Sequence, residues 1–412
     1  MLSSNNKKLK VLMVNYEFPP IGGGGGTTTR FLAKYLVKLG VDVSILTAKP
    51  INEDTYEHPD GFKMYYVGPI KKKLTTTHIP ELARFILTTI YYGRDVVKIV
   101  QPDLIHCFFT LPSGCFGLYS KKTFNIPYIV SALGADVPGF NIGDWRLDVY
   151  HALTKPLSKA IWDNSSSVIA NSTSLRKLCK KFSPKQEVSV ITNGVDTDIF
   201  YPPVSKTKGL INQTPTKNEV QLLYISRLTS QKGIEILIRA CGILKDRNIT
   251  NYKLTVVGEG HLKDTMFSLI DKVQIKDKVN FLGWKNLEEL PDIFRSADIF
   301  ILPSVMEGMA SVTLQAIASG LPIIVSRVEG NEEVLEENVN GLSASYNNPS
   351  EFADAMEKLI KSPELRQKMS KNSIEKSKHF SWESIAKRYL EIYEKSVYGE
   401  SESKLKEAAG RV

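Results

Sequence analysis

Cysteine is scarce: four in 412 residues, Cys107, Cys115, Cys179 and Cys241. None stands in a C-x-x-C pair, which excludes zinc ribbons and redox dithiols and leaves buried thiols in a reducing compartment. Long apolar runs are lacking too. VLMVNY near the start is too short for a signal-peptide core and runs into Glu17 and two prolines. FILTTIYYG is stopped by Arg94 and Asp95, short of the ~18 residues a membrane span requires. The expectation is a cytoplasmic chain that at most rests on the inner face of a membrane. No register of 20–50 residues repeats, which excludes a solenoid, and no recognised nucleic-acid motif is present.

What is there is an ordinary globular composition, 42% hydrophobic and 24% charged. The net charge of +9 is unevenly placed: residues 1–200 hold 24 Lys and Arg against 16 Asp and Glu, and the rest is almost neutral. Such a half favours phosphate-bearing substrates or an anionic lipid surface, with a merely soluble lysine-rich surface as the plainer account.

Short β-branched runs alternate with longer amphipathic stretches: KVLMVNY, a helix from about Thr27, VDVSILTA, KMYYVG, a helix from Pro80, DLIHCFF, PYIVSAL, SVIANS, a helix from Thr173, then VSVITN. Near-continuous apolar strands with helices between them indicate a parallel sheet covered on both faces. YPPVSKTKGLINQTPTKNE has no hydrophobic period and reads as an exposed connector, which puts a boundary near residue 205. Beyond it come the strands VQLLYIS, KLTVVG, VNFLG, IFILPS, LPIIVS and GLSA, with helices from Lys232, His261, Leu287 and Ser311. The expected fold class is α/β, with two doubly wound Rossmann-like domains at 1–204 and 205–378, a terminal helix over 379–399 and a frayed tail at 400–412.

Ligands of such sheets bind where strands run into helix amino termini. Gly22 to Gly26 lie at such a place, but no Gly-Lys-Ser/Thr follows for a Walker loop. G-x-G-x-x-G also fails, because its last position falls on Thr27, Thr28 or Thr29. The next strand ends at Lys49 instead of a ribose-binding acid, which speaks against NAD use and leaves a nicotinamide oxidoreductase as a third and last choice, while a flexible loop stays open. In YISRLTSQKG, Arg227 and Lys232 put a planar fork and a mobile point charge near a helix start, a suitable pair for a diphosphate or simply a solvated pair. Gly258 and Gly260 in VVGEG permit close approach by a nucleotide, or make only a turn. In ILPSVMEGMASVTLQ, Glu307 can accept bonds from sugar hydroxyls, the amides from Gly308 to Ala310 can receive negative charge, and Gln315 lies one turn into the next helix, within reach of a ribose. A capping role for Glu307 and a solvent-facing Gln315 are the plainer alternatives.

These motifs, with FLGW, ITNGVDTDIF and the closing FSWESIAKRYLEIYEKS, resemble the GT-B-fold retaining glycosyltransferases of family 4 across nearly the whole chain. The resemblance implies two domains facing across a cleft. The second binds a nucleotide-diphosphate sugar as co-substrate, and the first binds a glycan or lipid-linked acceptor. The last helix crosses back to the first domain. Arg227, Lys232 and Glu307 are the implied catalytic set. Donor binding adds Gly24, Gly25, Gly258, Gly260, Trp284, Gly308, Met309, Ala310 and Gln315, while Gly134 and Asp136 stand on the acceptor side or in the cleft. No resident cofactor is implied, and no metal: Asp196 and Asp198 mimic a D-x-D pair but follow Asn193-Gly194-Val195, as in metal-independent relatives. Two positions depart from the family pattern. Gln315 replaces a glutamate, and Leu133 stands where many relatives carry a histidine. His106 follows a different strand and reads as a packed residue.

Retention in the family is described as front-face attack, with the leaving phosphate helping to remove the acceptor proton. The segment from Ile70 to Val100 joins a lysine cluster to an apolar helix, suited either to an anionic membrane or to an ordinary core-facing helix. Against transfer of a sugar in cell-surface polysaccharide or glycolipid synthesis stands a second reading: a homologue weakened at Leu133 and Gln315 that binds glycans or regulates.

Overall fold

The computed structural model describes residues 8–21, 23–50, 57–68, 79–140, 145–203, 219–307, 309–331 and 333–399. Two compact units result. One takes the described residues up to Asn193 and again from Trp382, and the other is Gly194–Ser381. The change of unit at Asn193 precedes the connector that composition points to, and most of that connector, with the tail beyond 399, lies outside the described residues.

In the first unit the order is β1 Lys10–Val14, α1 Gly24–Lys38, β2 Asp42–Ala48, β3 Lys63–Val67, α2 Ile79–Val100, β4 Leu104–Phe108, α3 Gly114–Phe124, β5 Tyr128–Ala132, α4 Trp145–Asp163, β6 Ser167–Ala170, α5 Thr173–Phe182 and β7 Val188–Val190. Among the described residues these make a seven-stranded parallel sheet in the order β3-β2-β1-β4-β5-β6-β7. β4 and β5 are buried along their whole length because helices cover both faces. Two helices, α3 and α4, were not foreseen from the pattern, and α1 starts at Gly24 instead of about Thr27.

The second unit runs β8 Val220–Ile225, α6 Ile234–Asp246, β9 Tyr252–Val257, α7 Lys263–Val273, β10 Val279–Gly283, α8 Leu290–Arg295, β11 Ile299–Leu302, α9 Ser311–Ala318, β12 Ile323–Ser326, β13 Gly341–Ala344, α10 Pro349–Lys361 and α11 Pro363–Ser377. Its described strands form a six-stranded sheet, β10-β9-β8-β11-β12-β13, again parallel. The last two helices start as sequence rules require: Asn348 and Ser362 accept hydrogen bonds from first-turn amides, and a proline follows each. Both sheets reverse strand order once, between β1 and β4 and between β8 and β11. Those switch points open crevices at the strands' carboxyl ends.

The final helix, α12 Trp382–Tyr398, belongs to the first unit. Trp382 stacks on Phe31 of α1 with ring centroids 5.9 Å apart. Deeper in, His106 of β4 is enclosed, its Nδ1 2.7 Å from the Tyr393 hydroxyl and its Nε2 2.7 Å from Ser131 Oγ. Burial lowers the imidazole pKa to about 3, so the ring is neutral and spans sheet and helix through two hydrogen bonds.

Candidate active site

The second unit's switch point is assembled by backbone fit. Gly233 adopts a left-handed conformation, φ 66°, and a Cβ there would lie 1.9 Å from the Pro303 carbonyl oxygen. Only glycine lets the 3-10 turn Ser230–Lys232 lie against the end of β11. Val305 N donates to Gln231 O at 2.8 Å and the Tyr224 hydroxyl to Lys232 O at 3.2 Å, tying the turn to both strands.

That fit brings together Lys232 and Glu307, 75 positions apart. Lys232 Nζ donates to Glu307 Oε1 at 2.6 Å, and Ser304 Oγ donates to the same oxygen at 2.5 Å. Glu307 is 6% exposed and Ser304 fully enclosed. A carboxylate this buried needs a compensating charge and hydrogen bonds, and it has both. Both donors crowd one oxygen, which leaves Oε2 with no hydrogen-bond partner among the described residues. Ser304 was passed over in the sequence. Its signal was a hydroxyl at the strand end, three residues before the carboxylate.

Arg227 is exposed on the loop after β8, and no partner engages its guanidinium among the described residues. Met309 and Ala310 are buried, and Ala310 precedes α9 without a side-chain cap, so the helix presents first-turn amides and its positive dipole end. Gly308 lies outside the described residues. Gln315 does not face solvent. It is half-buried, with Oε1 enclosed and lacking a hydrogen-bond partner among the described residues. An enclosed carbonyl oxygen without a donor carries a free-energy cost that a ligand hydroxyl would remove.

The space at Gly258 and Gly260 is taken by the chain itself. A Cβ on Gly258 (φ 133°) would meet Ser226 O at 1.9 Å, and one on Gly260 would meet Leu228 O at 2.3 Å. Leu228 N donates to Glu259 O at 2.9 Å, and Gly258 N to Gly283 O at 2.8 Å, so three strand-end loops are laced side by side. These glycines shape the Arg227 loop. Trp284, next after Gly283, is 67% exposed at the same sheet end.

The first unit handles its switch point differently. Gly24 and Gly25 belong to the first turn of α1, not to a loop before it. A Cβ on Gly25 would meet the Phe109 ring at 2.6 Å, whereas one on Gly24 would meet nothing within 4 Å. Ahead of the helix, Gly23 N donates to Glu17 Oε2 at 3.2 Å, so a carboxylate already stands at this amino terminus. Asp136 braces two loops: Oδ2 accepts from Thr110 N (2.7 Å) and Thr110 Oγ1 (3.0 Å), and Oδ1 from Leu133 N (3.0 Å) and Gly134 N (3.1 Å). Gly134, at φ 134°, lies close under Phe140.

In the second unit, near its start, Asp196 Oδ1 accepts from Asp198 N at 3.1 Å, a local turn. Among the described residues no three His, Cys, Asp or Glu side chains are gathered as a metal ion would need.

Two family descriptions match the chain, one for each half: Glycosyltransferase Family 4 over residues 22–199 and Glycosyl transferases group 1 over 208–376. An uncharacterized glycosyltransferase of Methanocaldococcus jannaschii is 28% identical over 391 residues, 93% of this chain and 98% of that protein. Among solved structures, sucrose-phosphate synthase from Thermosynechococcus elongatus superposes with a TM-score of 0.79 at 22% identity, covering 94% of this chain and 99% of that one. Anabaena HepE in complex with UDP and glucose gives 0.71 at 18% identity, covering 93% and 98%. The architecture is that of the two-domain GT-B fold.

Proposed function

Because the chain belongs to the group 1, family 4 glycosyltransferases, we propose that it transfers a hexose with retention from a nucleotide-diphosphate donor to a glycan or lipid-linked acceptor. The observation that carries this is the triad of Lys232, Ser304 and Glu307 at the switch point, beside Arg227, which has no partner among the described residues, and the start of α9, which has no side-chain cap. Lys232 and Arg227 receive the charge that develops on the departing diphosphate, and the α9 amides add to it. Glu307 holds the sugar: its Oε2 accepts a hydroxyl while Lys232 and Ser304 fix the other oxygen. Gln315 Oε1 takes a ribose hydroxyl, which gives that enclosed atom its missing donor.

No protein nucleophile is needed if the leaving phosphate removes the acceptor proton, and the reaction runs without a metal. The HepE complex holds UDP and glucose, which makes a uridine donor the first to try. The acceptor belongs to cell-surface polysaccharide or glycolipid synthesis on the cytoplasmic side.

Release of nucleoside diphosphate from a donor panel tests the transfer reading. It is expected in the wild type and lost in Glu307→Ala and Lys232→Ala variants that keep the wild-type circular dichroism. An inverted anomeric linkage in the product would refute retention. The rival reading, a glycan-binding homologue, draws on Leu133 and Gln315 and predicts no turnover with any donor.

A further inference from the structure

The lysine cluster ahead of α2, which the sequence singles out, lies outside the described residues. In the second unit, beneath the Lys232–Glu307 pair, stands a phenol that the transfer chemistry does not use. Tyr224 of β8 is fully enclosed in the core. A phenylalanine would fill that volume equally well, so the hydroxyl is the part that needs an account: a polar group taken from water is costly unless it is hydrogen-bonded. It donates to Lys232 O at 3.2 Å. The ladder of α6 begins one residue later, on Gly233 O, which accepts from Ile236 N at 3.0 Å and from Leu237 N at 3.3 Å. The Lys232 carbonyl stands outside that ladder and is held from the strand beside it.

Two residues on, just past the end of β8 and on the same side by strand alternation, the Ser226 hydroxyl bonds to the phenol oxygen. Burial pushes the phenol well above its ordinary pKa. The Ser226 bond pulls the other way and the charge of Glu307 pushes with burial, so the hydroxyl keeps its proton and stays a donor. Arg227 follows Ser226 directly, and Lys232 Nζ ends on Glu307 Oε1 at 2.6 Å. The phenol therefore joins the base of the loop that carries one cation to the base of the turn that carries the other. A lysine head group rides on a flexible four-carbon stem. Here the stem is anchored at its backbone by Tyr224 and at its tip by Glu307, so its ordering is complete before any reaction begins.

We propose that Tyr224 is a positioning residue: its hydroxyl, bonded to the Lys232 carbonyl and backed by Ser226, fixes where Lys232 stands against Glu307 and relative to Arg227. The inference rests on the transferase reading and deepens it, because two cations that receive charge on a departing diphosphate must be held at a set spacing. A second buried phenol supplies the control. Tyr252, 1% exposed at the start of β9, donates to the Cys241 carbonyl of α6 at 3.3 Å. It pairs in register with Val220 at the amino end of the sheet, opposite the site, and makes the same kind of bond there.

Tyr224→Phe and Tyr252→Phe are to be compared with the wild type in urea unfolding and in donor cleavage, with UDP-glucose as the first probe and a donor panel after it. Both variants should lower the urea midpoint to a similar degree, each having lost one phenol-to-carbonyl bond. Tyr224→Phe alone should lose activity, about tenfold in kcat with donor KM within about twofold, since Lys232 acts on charge that appears in the transition state. Ser226→Ala should act in the same direction and add nothing to Tyr224→Phe. Crystal structures of both phenylalanine variants give a readout that needs no turnover: Lys232 Nζ should move off Glu307 Oε1 in Tyr224→Phe and keep its place in Tyr252→Phe. Unchanged kcat in Tyr224→Phe, an equal loss in Tyr252→Phe, losses that add in the double variant with Ser226→Ala, or a Lys232–Glu307 pair that stays in place without the hydroxyl would overturn the inference. No cleavage by the wild type with any donor would remove the transferase reading, and the crystallographic comparison would still decide whether Tyr224 sets the pair.

Discussion

Two sheets of one topology place two crevices in equivalent positions, and the carboxylates there are spent in opposite ways. In the first unit Asp136 accepts four hydrogen bonds from its own loops, Glu17 occupies the start of α1, and His106 is enclosed between Ser131 and Tyr393. In the second, Glu307 keeps one oxygen open, Gln315 Oε1 has no donor and Arg227 has no partner among the described residues. The fold fixes where a ligand can sit, but unspent hydrogen-bonding capacity decides which crevice has chemistry left to offer.

That contrast can be broken experimentally, most severely at Glu307. Glu307→Ala or Lys232→Ala should lower donor cleavage by about 10²–10³-fold, read as nucleoside diphosphate release, while the fold survives. If Asp136→Ala lost as much activity without losing stability, the two crevices would be equals and the distinction would fail. Next in size, Gly233→Ala should destabilise by about 3 kcal/mol or more in urea unfolding, because the new methyl group meets Pro303 O at a left-handed φ. Asp136→Ala should cost about 2 kcal/mol, since three backbone amides lose their acceptor.

Acid sharpens the difference further. The folded-state pKa of His106, about 3, lies below the ordinary 6.5. As pH falls the unfolded chain therefore takes up the proton first. Its contribution to stability is complete above pH 6.5 and declines below it by up to about 1.4 kcal/mol per unit. Urea midpoints between pH 7 and 5 should fall less steeply in His106→Gln than in the wild type. The smallest effect belongs to Gly24, where a methyl group meets nothing within 4 Å. Gly24→Ala should stabilise α1 by about 0.5–1 kcal/mol in the same assay, and a drop in donor affinity alongside would mark a ligand contact.

The β/α alternation was legible because parallel strands buried on both faces are apolar throughout, and their lengths and spacing then leave few topologies. Two helices escaped for physical reasons. α3 carries Gly114 and Gly117 in its first turn, residues that read as a turn and not as a helix start. α4 carries Pro156 and apolar residues on its outer face, which erases the polar side that a 3.6-residue period needs to be visible. The glycine run read as a loop, yet Gly25 and Gly26 stand in the first turn of α1, where a side chain on Gly25 would strike the Phe109 ring and one on Gly26 would crowd the backbone at Phe18. At the candidate site, charged residues stood out by type. Gly233 did not, because its role is set by the Pro303 carbonyl in a distant part of the chain, and Ser304 did not, because only the folded loop turns the Glu307 carboxylate back onto its hydroxyl.

The placement of α12 bears on how the protein is made. The polypeptide leaves the first unit at Asn193, builds the second to Ser381, and only then supplies the helix bearing Trp382, Tyr389 and Tyr393. A nascent chain can thus complete its carboxy-terminal half before its amino-terminal half has a lid for His106 and Phe31. Expressing residues 1–193 by themselves would leave the neighbours of α12 bare. A fragment meant to stand alone must have the closing helix grafted on.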